Sequence, residues 1–170
     1  FQQELDWGRH KVTIDFGGGL RAALLPSGEV LFTGTYASHV AAVLYEPGTR
    51  AFVPDSPATT GHTDQTATVL PGGDVLVVGG DQAAVDLRSW PGAFTSAAGT
   101  ILSPRTNHGA VRLRDGRVLL AGGKDRPAGG DDVPYASAVI YDPTTETSSM
   151  TGSMAAPRVD PQLTLLDSGK

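Results

Sequence analysis

The sequence predicts an all-β chain of four-stranded antiparallel units repeated in tandem, a β-propeller arrangement whose ring is incomplete here. Three observations lead to it. A hairpin-turn signature recurs along the chain, and each turn is followed by a short continuous apolar run. No segment holds a 3.6-residue period with capping residues at its ends, so little helix is expected. The 22 glycines and 12 prolines among 170 residues suit many short strands and turns.

Residues 1–19 come first. They are expected to be outer strands of a preceding unit, with Val12-Thr13-Ile14-Asp15-Phe16 as the clearest strand. Leu25-Pro26-Ser27-Gly28-Glu29-Val30-Leu31 then aligns with Leu70-Pro71-Gly72-Gly73-Asp74-Val75-Leu76 and with Leu113-Arg114-Asp115-Gly116-Arg117-Val118-Leu119. A fourth copy opens at Leu166-Asp167-Ser168-Gly169-Lys170. The turn glycines Gly28, Gly73, Gly116 and Gly169 are 45, 43 and 53 residues apart, intervals that match one four-stranded propeller blade. Glycine accepts the positive φ such turns require. Val75-Leu76-Val77-Val78 and Val118-Leu119-Leu120-Ala121 read as strands buried on both faces, and the Gly-Gly that closes them lets neighbouring backbone pass closely.

A second hairpin follows in each unit. Ala42-Val43-Leu44-Tyr45-Glu46-Pro47 and Ala138-Val139-Ile140-Tyr141-Asp142-Pro143 share an apolar strand, an aromatic and an acid-Pro turn. In the middle unit only Ala84-Val85-Asp86-Leu87 remains of that pattern. The expected organisation is one partial domain over 1–170, with repeats near 20–60, 62–102 and 105–155 and a truncated repeat from 156. It is expected to be a segment of a longer propeller.

These residues resemble the kelch family, and more loosely the propeller of the galactose oxidase family. Pro104-Arg105-Thr106-Asn107-His108 through Gly122-Gly123, followed by Ile140-Tyr141-Asp142-Pro143, carries most of the pattern, and Ala156-Pro157-Arg158 repeats its opening. The outer-strand Trp usual in kelch repeats is absent, with Phe52 in one copy and a Thr-Ser stretch in another. The resemblance covers about residues 20–170 and implies a kelch-type propeller whose loops bind peptide or protein partners.

Strand order independently selects a face. In an up-and-down four-stranded sheet, the first turn lies at one end and the loops after Gly-Gly and before the first strand lie at the other. Loops on a rigid scaffold concentrate function. This loop side carries His62, Asp64, Arg105, Asn107, His108, Lys124, Asp125, Arg126 and Arg158, the expected ligand-binding residues. Arg105 and Arg158 offer planar forks for a carboxylate, or they pair with a neighbouring blade's acid or carbonyls. His62 and His108, 46 residues apart, read as repeat equivalents that bond across a seam between blades. Residues 124–134 form the longest insertion and read as a solvated loop, because Asp131-Asp132 lacks a calcium-loop pattern.

The expected function is a non-enzymatic scaffold that binds a protein, peptide or carbohydrate ligand, with self-association through open blade faces as a second kind of contact. The alternative is a galactose-oxidase-like or carbohydrate-acting enzyme with its catalytic residues outside this segment. In that family copper is held by tyrosines and histidines, beside a Tyr–Cys crosslink. No cysteine is present among these residues, which excludes the crosslink and thiolate metal sites within them. No catalytic residue, metal ligand or cofactor is assigned. A net charge of −5 without a basic cluster argues against nucleic acid, and no apolar run is long enough for a membrane helix. Neither a cytoplasmic nor a secreted bacterial location is excluded.

Overall fold

The structure is a computed structural model that describes residues 2–7, 10–15, 18–36, 39–56, 64–80, 83–89, 93–97, 99–125, 127 and 130–170. Its described residues form antiparallel sheets and no helix. The N-terminal hairpin pairs β1 (Gln2–Trp7) with β2 (His10–Asp15). The first four-stranded sheet follows, β3 (Gly18–Leu24), β4 (Val30–Tyr36), β5 (His39–Glu46) and β6 (Ala51–Pro54), in sequential order. The second is β7 (Thr66–Val69), β8 (Val75–Gly79), β9 (Ala84–Arg88) and β10 (Phe94–Ser96).

In the third unit β11 (Gly109–Arg112) and β12 (Val118–Ala121) lead into a two-residue ribbon, β13 (Lys124–Asp125) with β14 (Val133–Pro134). The sheet is completed by β15 (Ala138–Asp142) and β16 (Thr147–Met150). The middle unit is therefore a full sheet, although its sequence shows only one of its outer strands. Its β10 is three residues long, too short for a periodic pattern. The insertion over 124–134 is also not a plain loop: its ends are paired, and Lys124 Nζ lies 2.6 Å from Asp132 Oδ2.

All four turns close in the same way. The amides of Leu25, Leu70, Leu113 and Leu166 donate to the carbonyls of Glu29, Asp74, Arg117 and Lys170, and each turn glycine donates back to its leucine carbonyl. The glycines at these turns have φ between 84° and 100°. The fourth copy thus folds into its turn even though no further strand follows it in these residues.

Hydrophobic burial connects the sheets. On β8, Val75 and Val77 pack with Leu25, Leu31, Ala42 and Leu44 of the first sheet. Leu76 and Val78 point the other way, into a cluster with Val118, Leu120 and Tyr141 of the third. A strand with period-two side chains that meets a sheet on each face must be apolar throughout, and all five β8 residues are buried. The first strands β3, β7 and β11 lie side by side in series. Exposure at one repeat position tracks this coverage: Leu31 is 0% and Leu76 1% exposed, whereas Leu119, which no sheet of the described residues covers, is half-buried.

Candidate functional site

The loop side is organised by backbone that passes from one unit to the next. The second glycine of each Gly-Gly donates its amide to the arginine carbonyl of the following Pro-Arg, Gly80 to Arg105 at 3.2 Å and Gly123 to Arg158 at 2.8 Å. A Cβ on Gly123 would lie 2.6 Å from the Thr106 carbonyl oxygen and 2.9 Å from the His108 Cβ. This approach is the physical reason for the glycine pair.

Two residues later in each unit the chain turns into the left-handed region. Asp64, Asn107 and Asp160 have φ of 47°, 53° and 52°, and Gly19 occupies the same position with φ 63°. Each stands nine residues before its turn glycine. The Asn107 amide donates to the Asp64 carbonyl at 3.2 Å, and the Asp160 amide to the Asn107 carbonyl at 2.8 Å. The Asn107 side-chain Nδ2 also donates to Asp160 Oδ1 at 3.0 Å. A rim of carboxylate, amide and carboxylate therefore runs across the starts of β7, β11 and the fourth copy. Its sequence signal is Gly, Asp, Asn and Asp at one repeat position, the residue types that tolerate positive φ; sequence reading placed Asp64 and Asn107 on this side without that reason.

Arg105 takes the structural alternative, pairing with carbonyls inside the fold. It is wholly buried, with Nη1 donating to the Gly122 and Ser137 carbonyls at 3.2 and 3.3 Å and Nη2 to Ser103 Oγ at 2.8 Å. The guanidinium lies 5.0 Å from the Tyr135 ring centroid. Desolvation lowers its pKa, partly offset by Tyr135. Burial, and then the Asp125 carboxylate that its hydroxyl contacts, raise the Tyr135 phenol above its usual value. Ser103, Tyr135 and Ser137 were not expected here; they surround a cation that the sequence alone leaves equally compatible with the surface.

His108 is likewise enclosed, with Nε2 2.9 Å from Thr66 Oγ1 of the neighbouring sheet. That is the seam bond expected of it, but its repeat equivalent is Gln65, not His62. The turn glycines of these units are 43 residues apart, which places Gln65, fully buried, at the corresponding position. His62 and Arg126 lie outside the described residues. Asn107, Lys124 and Asp125 are half-buried, while Arg158 is exposed. The Arg158 backbone is held by its amide on the Tyr135 carbonyl at 3.1 Å and by the Gly123 amide. Sequence reading also missed a buried ion pair between Arg88 of β9 and Asp55 after β6, which joins the first two sheets.

No protein-family model matches the sequence, and no curated protein matches it. Among solved structures, the chain is similar to a novel fungal alcohol oxidase with catalytic diversity among the AA5 family, in complex with copper. The TM-score is 0.59 at 14% identity, covering 80% of this chain and 31% of that one. At that identity the likeness shows fold alone, and this chain spans under a third of the oxidase's length.

Proposed function

We propose that the chain forms consecutive blades of a kelch-type β-propeller, with repeats near 20–60, 62–102 and 105–155 and a fourth from 156, and that it works as a non-enzymatic scaffold binding a hydroxyl-rich, carbohydrate-type ligand at its loop side. Support for the ring comes from the serial order of β3, β7 and β11 and from the AA5 likeness. The observation that carries the binding reading is the rim: Asp64, Asn107 and Asp160 are held in one hydrogen-bonded series. Carboxylates and an amide accept and donate to sugar hydroxyls. With Arg105 enclosed inside the fold, one of the two forks that the sequence suggested for an acidic ligand is taken up there, and Arg158 remains exposed.

The test uses substitutions that keep the backbone. Glycine accepts φ near 50° without strain, so Asn107→Gly and Asp160→Gly delete rim side chains alone. A printed array of neutral and acidic oligosaccharides should show capture by the parent chain that the double variant loses. Equal capture by both would sink this reading.

The AA5 likeness supports a second reading, a propeller belonging to a larger copper oxidase. The described residues show no copper-ligand grouping around His108 or Tyr141, while His62 lies outside them. Among the described residues no three His, Cys, Asp or Glu side chains converge, the His108 Nε2 is bonded to Thr66, and Tyr141 sits in the apolar cluster. Copper content of the full-length protein separates the readings, since one copper per chain would favour the oxidase.

A further inference from the structure

Beneath the rim, the first strands enclose a second feature. A cavity of about 480 Å³ lies between β3, β7, β11 and residues 160–163, with Arg21, Thr66, Thr68, His108, Asp160 and Gln162 among its lining residues. That volume falls in the range of small-molecule sites, about 300–1,000 Å³.

Its chemistry follows from strand alternation. On β7, Ala67 and Val69 pack against the core shared with the first sheet, so Thr66 and Thr68 place two hydroxyls on the opposite side. The Thr66 hydroxyl is tied to His108, which orients it. Arg21 is the cation of the lining, and among the described residues its guanidinium makes one hydrogen bond, Nη1 to the Leu20 carbonyl at 3.1 Å. Among those residues, most of its fork has no hydrogen-bond acceptor. Asp160 supplies the carboxylate, with Oδ1 already accepting from Asn107. The lining holds one arginine and one carboxylate, so a second negative charge on a ligand would meet Asp160 and a dianion is disfavoured.

We propose that this axial cavity binds a small hydroxylated monocarboxylate of the hexuronate class, its carboxylate on Arg21 and its hydroxyls on Thr68, Gln162 and Asp160. A bidentate Arg–carboxylate pair provides the fixed point, and the remaining groups read hydroxyl positions. The inference rests on the scaffold reading above and names a ligand class for that same side of the molecule.

The test is a backbone-amide NMR titration of the full chain with D-glucuronate, beside D-glucose and glucose 6-phosphate. Glucuronate should shift the amides of residues 66–68 and 160–163 saturably and bind more tightly than either control. Arg21→Gln should weaken it about tenfold, the loss of one charge-assisted fork. If that variant unfolds, Arg21→Lys keeps the charge without the fork and should bind measurably more weakly than the parent. No saturable shift, unchanged affinity in the Arg21 variant that folds, or glucose binding as tightly as glucuronate each overturns the proposal. Asp64→Gly separates this site from the rim, because Asp64 does not line the cavity and its loss should reduce oligosaccharide capture while glucuronate still binds. Oligosaccharide capture without glucuronate binding removes the cavity site alone.

Discussion

Arg105 and Arg158 stand at the same position of successive repeats, each after a proline, yet one guanidinium is sealed inside the fold and the other reaches solvent. Their backbones are treated alike, since each carbonyl accepts from the second glycine of the preceding Gly-Gly. The difference lies in what comes next along the chain. Arg105 is followed by Gly122 and Ser137, whose carbonyls it binds. The corresponding positions for Arg158 would fall after Lys170.

Arg105→Ala should therefore destabilise the chain by ~2–4 kcal/mol, because the buried Gly122 carbonyl and the Ser103 hydroxyl lose the guanidinium donor and a large side chain leaves a void. Arg158→Ala should change stability by less than ~0.5 kcal/mol. Urea denaturation of the two variants checks the contrast, and equal midpoints would contradict a seam role for Arg105.

Asp55→Ala should cost up to ~3 kcal/mol by removing a carboxylate that pairs with the buried Arg88 cation. Replacing both partners, with Arg88→Met and Asp55→Ala together, should recover part of that loss. Chemical denaturation of this double-mutant cycle measures the coupling; additive effects would show that the pair contributes nothing between the sheets.

Gly123→Ala should disrupt folding, because φ is +84° and the new methyl meets the Thr106 carbonyl at 2.6 Å. Gly48→Ala is the control, since nothing lies within 4 Å of its Cβ position. Circular dichroism melts should separate the two clearly.

Alkaline pH should weaken the fold through Tyr141. Burial raises its phenol from 10.0 to about 12, with Glu146 and Asp142 adding to the shift. The unfolded chain ionises first, so the contribution is intact below pH 10 and is lost as pH rises towards 12. Tyr141→Phe should flatten that part of the stability profile; an unchanged slope would exclude Tyr141 as its source.

The uncovered face of the third sheet should drive association. Leu119 and Ile140 occupy the positions at which Leu31 and Leu44, or Leu76 and Leu87, meet a following sheet. Sedimentation of the isolated chain should show concentration-dependent self-association that Leu119→Ser with Ile140→Ser reduces. A strictly monomeric parent would refute this.

Much of the architecture is legible in one dimension. The Leu-x-x-Gly turns, the double-sided apolar run of β8 and the Gly-Gly closures are set by interactions within a few residues, so their spacing marks the repeat. Of the N-terminal strand expected over 12–16, residues 12–15 lie in β2, paired with β1, and Phe16 lies outside the described residues. What escaped was short or relational. β10 has too few residues for a period, and the ends of 124–134 pair across an intervening turn, with Lys124 beside Asp132, at positions that carry no strand pattern. His108 took the wrong equivalent because histidine identity was followed instead of backbone register.

The sequence by itself determined the tandem hairpins, their turns, the face on which the loops gather and the left-handed rim residues, since each is a local demand on φ, ψ or alternation. Only the tertiary structure decided which polar groups remain for a ligand. Pro-Arg reads the same at 104–105 and 157–158; whether its guanidinium is enclosed depends on carbonyls contributed by a later segment. Burial is a property of neighbours distant in the chain, and no local pattern contains it.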